Sequence, residues 1–168
     1  MADVFLATAP ISGDAHIHVL PKGLDTRRIL DDRTVAYLDL AGSGAETIAH
    51  LRENGRIVLI FCAYTSPSRI VRLHGRGEVI SLNSPEVAQL AGLFPNLPGA
   101  RAIIRVNCDR ISDSCGTGVP RCEFVGHKDA LTNWAAQKGP NGMSAYRDEK
   151  KRRSIDGLPA LESELPYQ

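Results

Sequence analysis

Hydrophobic and polar residues alternate, or gather into short Val-, Ile-, Tyr- and Phe-rich runs, over six stretches of the chain: residues 3–9 (DVFLATA), 15–20 (AHIHVL), 33–40 (RTVAYLDL), 56–64 (RIVLIFCAY), 69–80 (RIVRLHGRGEVI) and 100–111 (ARAIIRVNCDRI). Each run is bounded by Gly, Pro, Asn or Asp, and this combination predicts strands. Ser12-Gly13-Asp14 separates the first two runs at hairpin distance, and Thr65 to Ser68 with Pro67 does the same for the fourth and fifth. Both turns predict antiparallel neighbours.

A different period governs Ala45 to Asn54, where Ile48, Ala49 and Leu51 fall near one face behind Ser43 as N-cap, with Glu46 three residues on and a stop at Asn54-Gly55. Pro85 to Leu93 begins behind Ser84 with Pro at its first position and ends before Phe94-Pro95, which predicts a short helix. Residues 127–138 and 143–152 read as a helical hairpin broken by Gly139-Pro140-Asn141-Gly142. Strands joined by tight turns, with helices inserted at the corners, predict an antiparallel closed barrel with attached helices, a mainly β, α+β class, and not a βαβ sheet.

At 168 residues the chain makes one domain. The body is expected over 1–153, and Ser154 onward (SIDGLPALESELPYQ) reads as an extended arm or tail. Twenty Lys and Arg against nineteen Asp and Glu leave a charge of +1, so net charge argues against nucleic-acid or anionic-membrane binding, and any anion site must be local. The longest apolar run, Ile57 to Ala63, falls far short of the roughly 20 residues that span a bilayer. The N-terminus lacks the charged start of a secretory signal, which predicts a cytoplasmic protein. Cys62, Cys108, Cys115 and Cys122 include no CxxC pair and are expected to be free thiols.

Chemistry is suggested at a few places. Gly42-Ser43-Gly44 at the mouth of the first helix offers unpaired N–H groups and the positive end of a helix dipole to an anion, although simple capping is the plainer reading. Lys22, on the Pro21-Lys22-Gly23 turn, can meet a phosphate as a point charge. Arg72 and Arg76 differ by an even number, so a regular strand points both to one face; that face either lines a cleft or is merely solvated. His16, His18 and His74 do not carry a convincing metal site, since no carboxylate completes it. Cys115, read as lying in a tight turn, lacks an activating base and is expected to be structural. The basic run Arg147 to Arg153 is expected to be a solvated helix end.

Taken in order, FLATAPISGDAHIHVLPKGLD, TVAYLDLAGSGAETIAHLRENGRIVLIFCAY, RIVRLHGRGEVI, GARAIIRV and SDSCGTGVP resemble the pyridoxamine 5'-phosphate oxidase-like family of flavin-binding split barrels, over nearly the whole chain. The resemblance implies an antiparallel split β-barrel and a homodimer with FMN at the subunit interface. It further implies phosphate contacts from Lys22, Ser43, Gly44 and Arg72, and redox chemistry on a small molecule that the chain does not specify. No catalytic acid or base is assigned. Within the family the chain resembles the branch carrying an AYLDL-x-GSGAETI-x-HLRENGRI block, and His18, Leu20 and Thr117 stand where that branch favours Asn, Ser and an aromatic residue. They motivate a second reading, a cofactor-free barrel catalysing a cyclisation or isomerisation with His16, His18 or His74 as acid or base. A third reading is a binding module for flavin, haem or deazaflavin without turnover.

Overall fold

The computed structural model describes residues 2–42 and 44–161. Seven strands, β1 (Ala2–Thr8), β2 (His18–Lys22), β3 (Arg27–Ile29), β4 (Thr34–Leu40), β5 (Arg56–Ala63), β6 (Arg69–Ser81) and β7 (Ala100–Cys115), form one antiparallel sheet in the order β2-β1-β5-β6-β7-β4-β3. The two expected hairpins are present, with Thr8 opposite His18 and Cys62 opposite Ile70. The sheet curls into a half-barrel. Its edge strands β2 and β3 are consecutive in the chain, and no ladder joins them among the described residues, so the barrel is split and not closed.

The curl gives the sheet two faces with different packing. Val4, Leu6, Tyr37, Ile57, Leu59, Leu73, Ile104 and Val106 point inward and form the main core. Helix α1 (Glu46–Asn54) closes one end of this interior with Ile48, Ala49 and Leu51. It stops as the sequence predicts: Gly55 takes a left-handed φ of 71° and its N–H returns to the Leu51 carbonyl at 3.0 Å. Its start differs, because Ala45 is the N-cap residue and Ser43 lies outside the described residues.

On the outside, α2 (Val87–Leu90) and the 3-10 turn after it bring Leu90 and Phe94 onto Ala36, Leu38, Ile80 and Ile103, covering only the β4-β6-β7 half. Helix α3 (Ala130–Lys150) consists of two legs that meet at Gly139, φ 66°, before Pro140. The legs face each other through Trp134 and Tyr146, whose ring centroids lie 5.0 Å apart.

Two expectations, for the end of β7 and for Lys151, are corrected. β7 runs on to Cys115, opposite Arg69, so residues 113–115 are strand and the turn begins at Gly116. Lys151, expected at a solvated helix end, is buried, with its ammonium 5.2 Å from the Tyr146 ring centroid. Residues 154–161 lie against the barrel: Ala160 joins the core, and Asp156 accepts the His16 backbone N–H at 3.0 Å. No helix among the described residues is long and apolar enough to cross a membrane.

Candidate functional site

Two groups of side chains stand out, one on each side of the sheet. Inside, Lys22 shares the inner face of the β2-β1 ladder with Val4, and Asp39 follows Tyr37 on the inner face of β4. The β4-β7 register slips at Asp39/Leu40, leaving Arg101 as the extra residue of a bulge that re-aims its guanidinium. Lys22 Nζ then lies 2.5 Å from Asp39 Oδ1, and Arg101 Nε lies 2.6 Å from Asp39 Oδ2.

Asp39 is 0% exposed, and burial alone would raise its carboxyl; the Lys22 ammonium and the Arg101 guanidinium outweigh that and hold it below the usual carboxylate range. Arg101 also donates to the Gly44 carbonyl at 2.9 Å. Glu46 turns its carboxylate back against Gly44, where any side chain would collide with it. The mouth of α1 is thus already served by an anion of its own chain.

Around this clamp lie further polar groups. Lys22 Nζ stands 5.3 Å from the Tyr37 ring centroid. Burial, reinforced by Asp39, pushes the Tyr37 phenol well above its ordinary value, so it remains a neutral donor. His50 shares a 2.9 Å hydrogen bond with the Thr8 hydroxyl, and His18 Nδ1 is 3.9 Å from the Glu46 carboxylate. Burial lowers both imidazoles, which favours their neutral forms.

Outside, the ladder sets Pro21, Phe5, Ile60 and Arg72 in one row and Val19, Ala7, Val58 and His74 in the next. Val19 is 61% exposed, and no helix packs on this face among the described residues. The apolar rows end in a basic edge. Arg72 donates to the Ser114 hydroxyl at 2.9 Å, and Arg76, opposite Arg56, donates to the Asn54 carbonyl at 2.7 Å. A shallow groove of about 390 Å³ runs between Ala7, Val58, His74, Arg56 and Arg76, with Asp109 at its side. Arg72 and Arg76 share a face, as their even spacing predicts.

Of the residues nominated from sequence, the structure brings Lys22 and Gly44 together through Asp39 and Arg101, and places Arg72 across the sheet from them. Ser43 lies outside the described residues. The histidines are dispersed: His16 pairs with Asp156 at 2.8 Å, His18 faces Glu46, and His74 sits on the outer face. Among the described residues no group of three or more His, Cys, Asp or Glu is arranged to hold a metal ion. Cys115 is exposed, and a hydrogen bond with the Thr117 hydroxyl lowers its thiol.

Comparison with known proteins is decisive on ancestry. Residues 4–115, which take in all seven strands but the first two residues of β1, match the pyridoxamine 5'-phosphate oxidase family. The chain belongs to this family. A curated pyridoxamine 5'-phosphate oxidase family protein from Aspergillus flavus, ustO, is 37% identical over 180 residues, covering 96% of this chain and 71% of that protein. Among solved structures, HupZ of Group A Streptococcus superposes with a TM-score of 0.53 at 17% identity, over 73% of this chain and 90% of that one. A single-substitution variant of the same streptococcal protein gives 0.54 at 18% identity, over 67% and 90%. These likenesses identify the fold as the antiparallel split barrel of pyridoxamine 5'-phosphate oxidase family proteins.

Sequence reasoning missed Asp39, Arg101 and Tyr37. One signal was available: an acid inside the otherwise apolar run AYLDL must be paired if that strand is buried. Its partner could not be read, because Arg101 reaches it only through the bulge.

Proposed function

We propose that this member of the pyridoxamine 5'-phosphate oxidase family is an FMN-dependent oxidoreductase that works as a homodimer, with the flavin in the cleft between two copies. The observation carrying this reading is the uncovered outer face, whose apolar rows end in basic side chains. A flat tricyclic ring needs an apolar wall such as Phe5, Ile60 and Val58, and a phosphate needs guanidinium donors such as Arg72, so the residues present fit the group. When bound, FMN supplies hydride or electron transfer to a small molecule, while the protein supplies position and electrostatics.

In this proposal Arg72 orients the phosphate, already steadied by Ser114, and Arg56 and Arg76 add positive potential along the same edge. Lys22 and Gly44 support the cleft from the other side of the sheet, through Asp39 and Arg101. A second copy seated on the exposed apolar rows would exclude water from the ring.

The test is the visible spectrum of the purified protein before and after adding FMN, with gel filtration alongside. A flavin spectrum at about two chain masses is expected, and Arg72→Ala should weaken FMN binding about tenfold, the worth of one hydrogen bond to a charged group. A colourless protein that ignores FMN would overturn the flavin reading. A monomer that still takes up FMN would overturn the interface alone.

A further inference from the structure

The interior of the half-barrel is not filled. Beyond the core that α1 closes, a cavity of about 540 Å³ opens between the inner faces of β3, β4, β5, β6 and β7. Its wall is nearly all apolar, with Val35, Leu59, Phe61, Val71 and Leu73 the main contributors. Ile29, 83% exposed, and Ile111, 48% exposed, also line it. Apolar surface of this extent facing solvent is costly unless something covers it. The volume falls in the range of roughly 300–1,000 Å³ of small-molecule sites.

Two lining residues say what kind of molecule fits. Tyr37 is 1% exposed, and its hydroxyl is buried without a hydrogen-bond partner among the described residues. A buried tyrosine hydroxyl ordinarily finds one. Beside it, Arg27 stands opposite Tyr37 in the β3-β4 ladder and donates to the Lys22 carbonyl at 3.0 Å, with no ion pair among the described residues. The Arg27 guanidinium can only donate and the Tyr37 hydroxyl can donate as well, so a single acceptor group serves both. The acids near the lip are Asp31 and Asp32; Asp31 is engaged by the Arg33 backbone N–H at 2.8 Å.

From this juxtaposition the geometry points to a second ligand site, inside the barrel and separated by the sheet from the outer face, that takes an apolar carboxylate with its head group on Tyr37 and Arg27. The concavity selects a small molecule: a flat sheet face from a second copy covers an outer surface but cannot enter a curled interior. The inference does not rest on the flavin reading, because the cavity and the basic edge lie on opposite sides of the sheet.

Isothermal titration calorimetry with decanoate, below its micelle concentration, tests it on the full chain. Saturable binding of one decanoate per chain is expected, about tenfold weaker in Arg27→Met and several-fold weaker in Tyr37→Phe, from the loss of one hydrogen bond to a charged group in each. Val71→Trp fills the cavity and should abolish binding while leaving the circular dichroism spectrum intact. If Val71→Trp does not fold, Arg27→Met and Tyr37→Phe decide alone. Absence of saturable binding, or wild-type affinity in either head-group variant, overturns the proposal. Displacement of decanoate by FMN also overturns it, by assigning the cavity to the flavin.

Discussion

Asp39→Asn is expected to lower stability by about 3–5 kcal/mol, the usual cost of removing one partner from a buried ion pair. Among the described residues Asp39 is the sole anion bonded to both Lys22 and Arg101, and the substitution would remove the countercharge that these two cations share inside the sheet. At about 2–4 °C per kcal/mol for a domain of this size, the melting temperature should fall by about 10 °C. A change under about 2 °C would show that the clamp contributes nothing net.

Acid provides an independent check. The folded-state carboxyl of Asp39 lies below its unfolded value of about 3.9. Its contribution is therefore complete above about pH 4 and is lost as pH falls through the lower folded value. The gap in melting temperature between wild type and Asp39→Asn should narrow below pH 4 and stay constant above it.

Gly75→Ala is expected to cost about 3 kcal/mol, at the upper end of what overpacking a well-filled site costs. A methyl group there would overlap the Asn107 carbonyl oxygen and crowd the Cα of Cys108 at 3.0 Å, both of them backbone atoms. Gly75 faces Cys108 at the point where the β6-β7 register slips, so relief requires the two strands to part. Two residues on, Gly77→Ala places its methyl 2.7 Å from Leu51 Cδ2, the free end of a side chain that can turn away. That variant should cost about 1 kcal/mol, less than the first because only a rotamer has to change. Chemical denaturation of the pair measures the difference, and equal midpoints would refute the distinction.

Most strands and the first helix were legible because their signals are local. Val- and Ile-rich runs between turn residues mark β1, β4, β5, β6 and β7, and Asn54-Gly55 marks the end of α1. β3 was illegible: three residues, two of them arginine, carry no period, and the strand exists because β4 offers it an edge. The extension of β7 through Ser112, Asp113 and Ser114 was hidden for a related reason, since polar residues mimic a turn while the long partner β6 holds them in register.

At the candidate site, the common face of Arg72 and Arg76 followed from strand parity. The facing of Lys22 did not, because a strand's parity says which residues share a side and not which side is inside. The Asp39 clamp depends on a register slip, and slips are set by tertiary pairing.

The strand order also fixes a sequence of assembly. β5, β6 and β7 are consecutive in the chain and each pairs with the next, whereas β1 must find β5 across the whole of β2, β3, β4 and α1, with Ala2 opposite Ala63. Closing that long loop is an entropic cost that local hairpins avoid. The three-strand meander can therefore form early, while the β1-β2 hairpin docks late, onto an edge that β5 has already prepared. During synthesis the β1-β2 hairpin emerges long before β5 and spends that interval undocked, so the slowest-exchanging amides should belong to β6 and β7 and the chain's earliest residues should be its last to be protected.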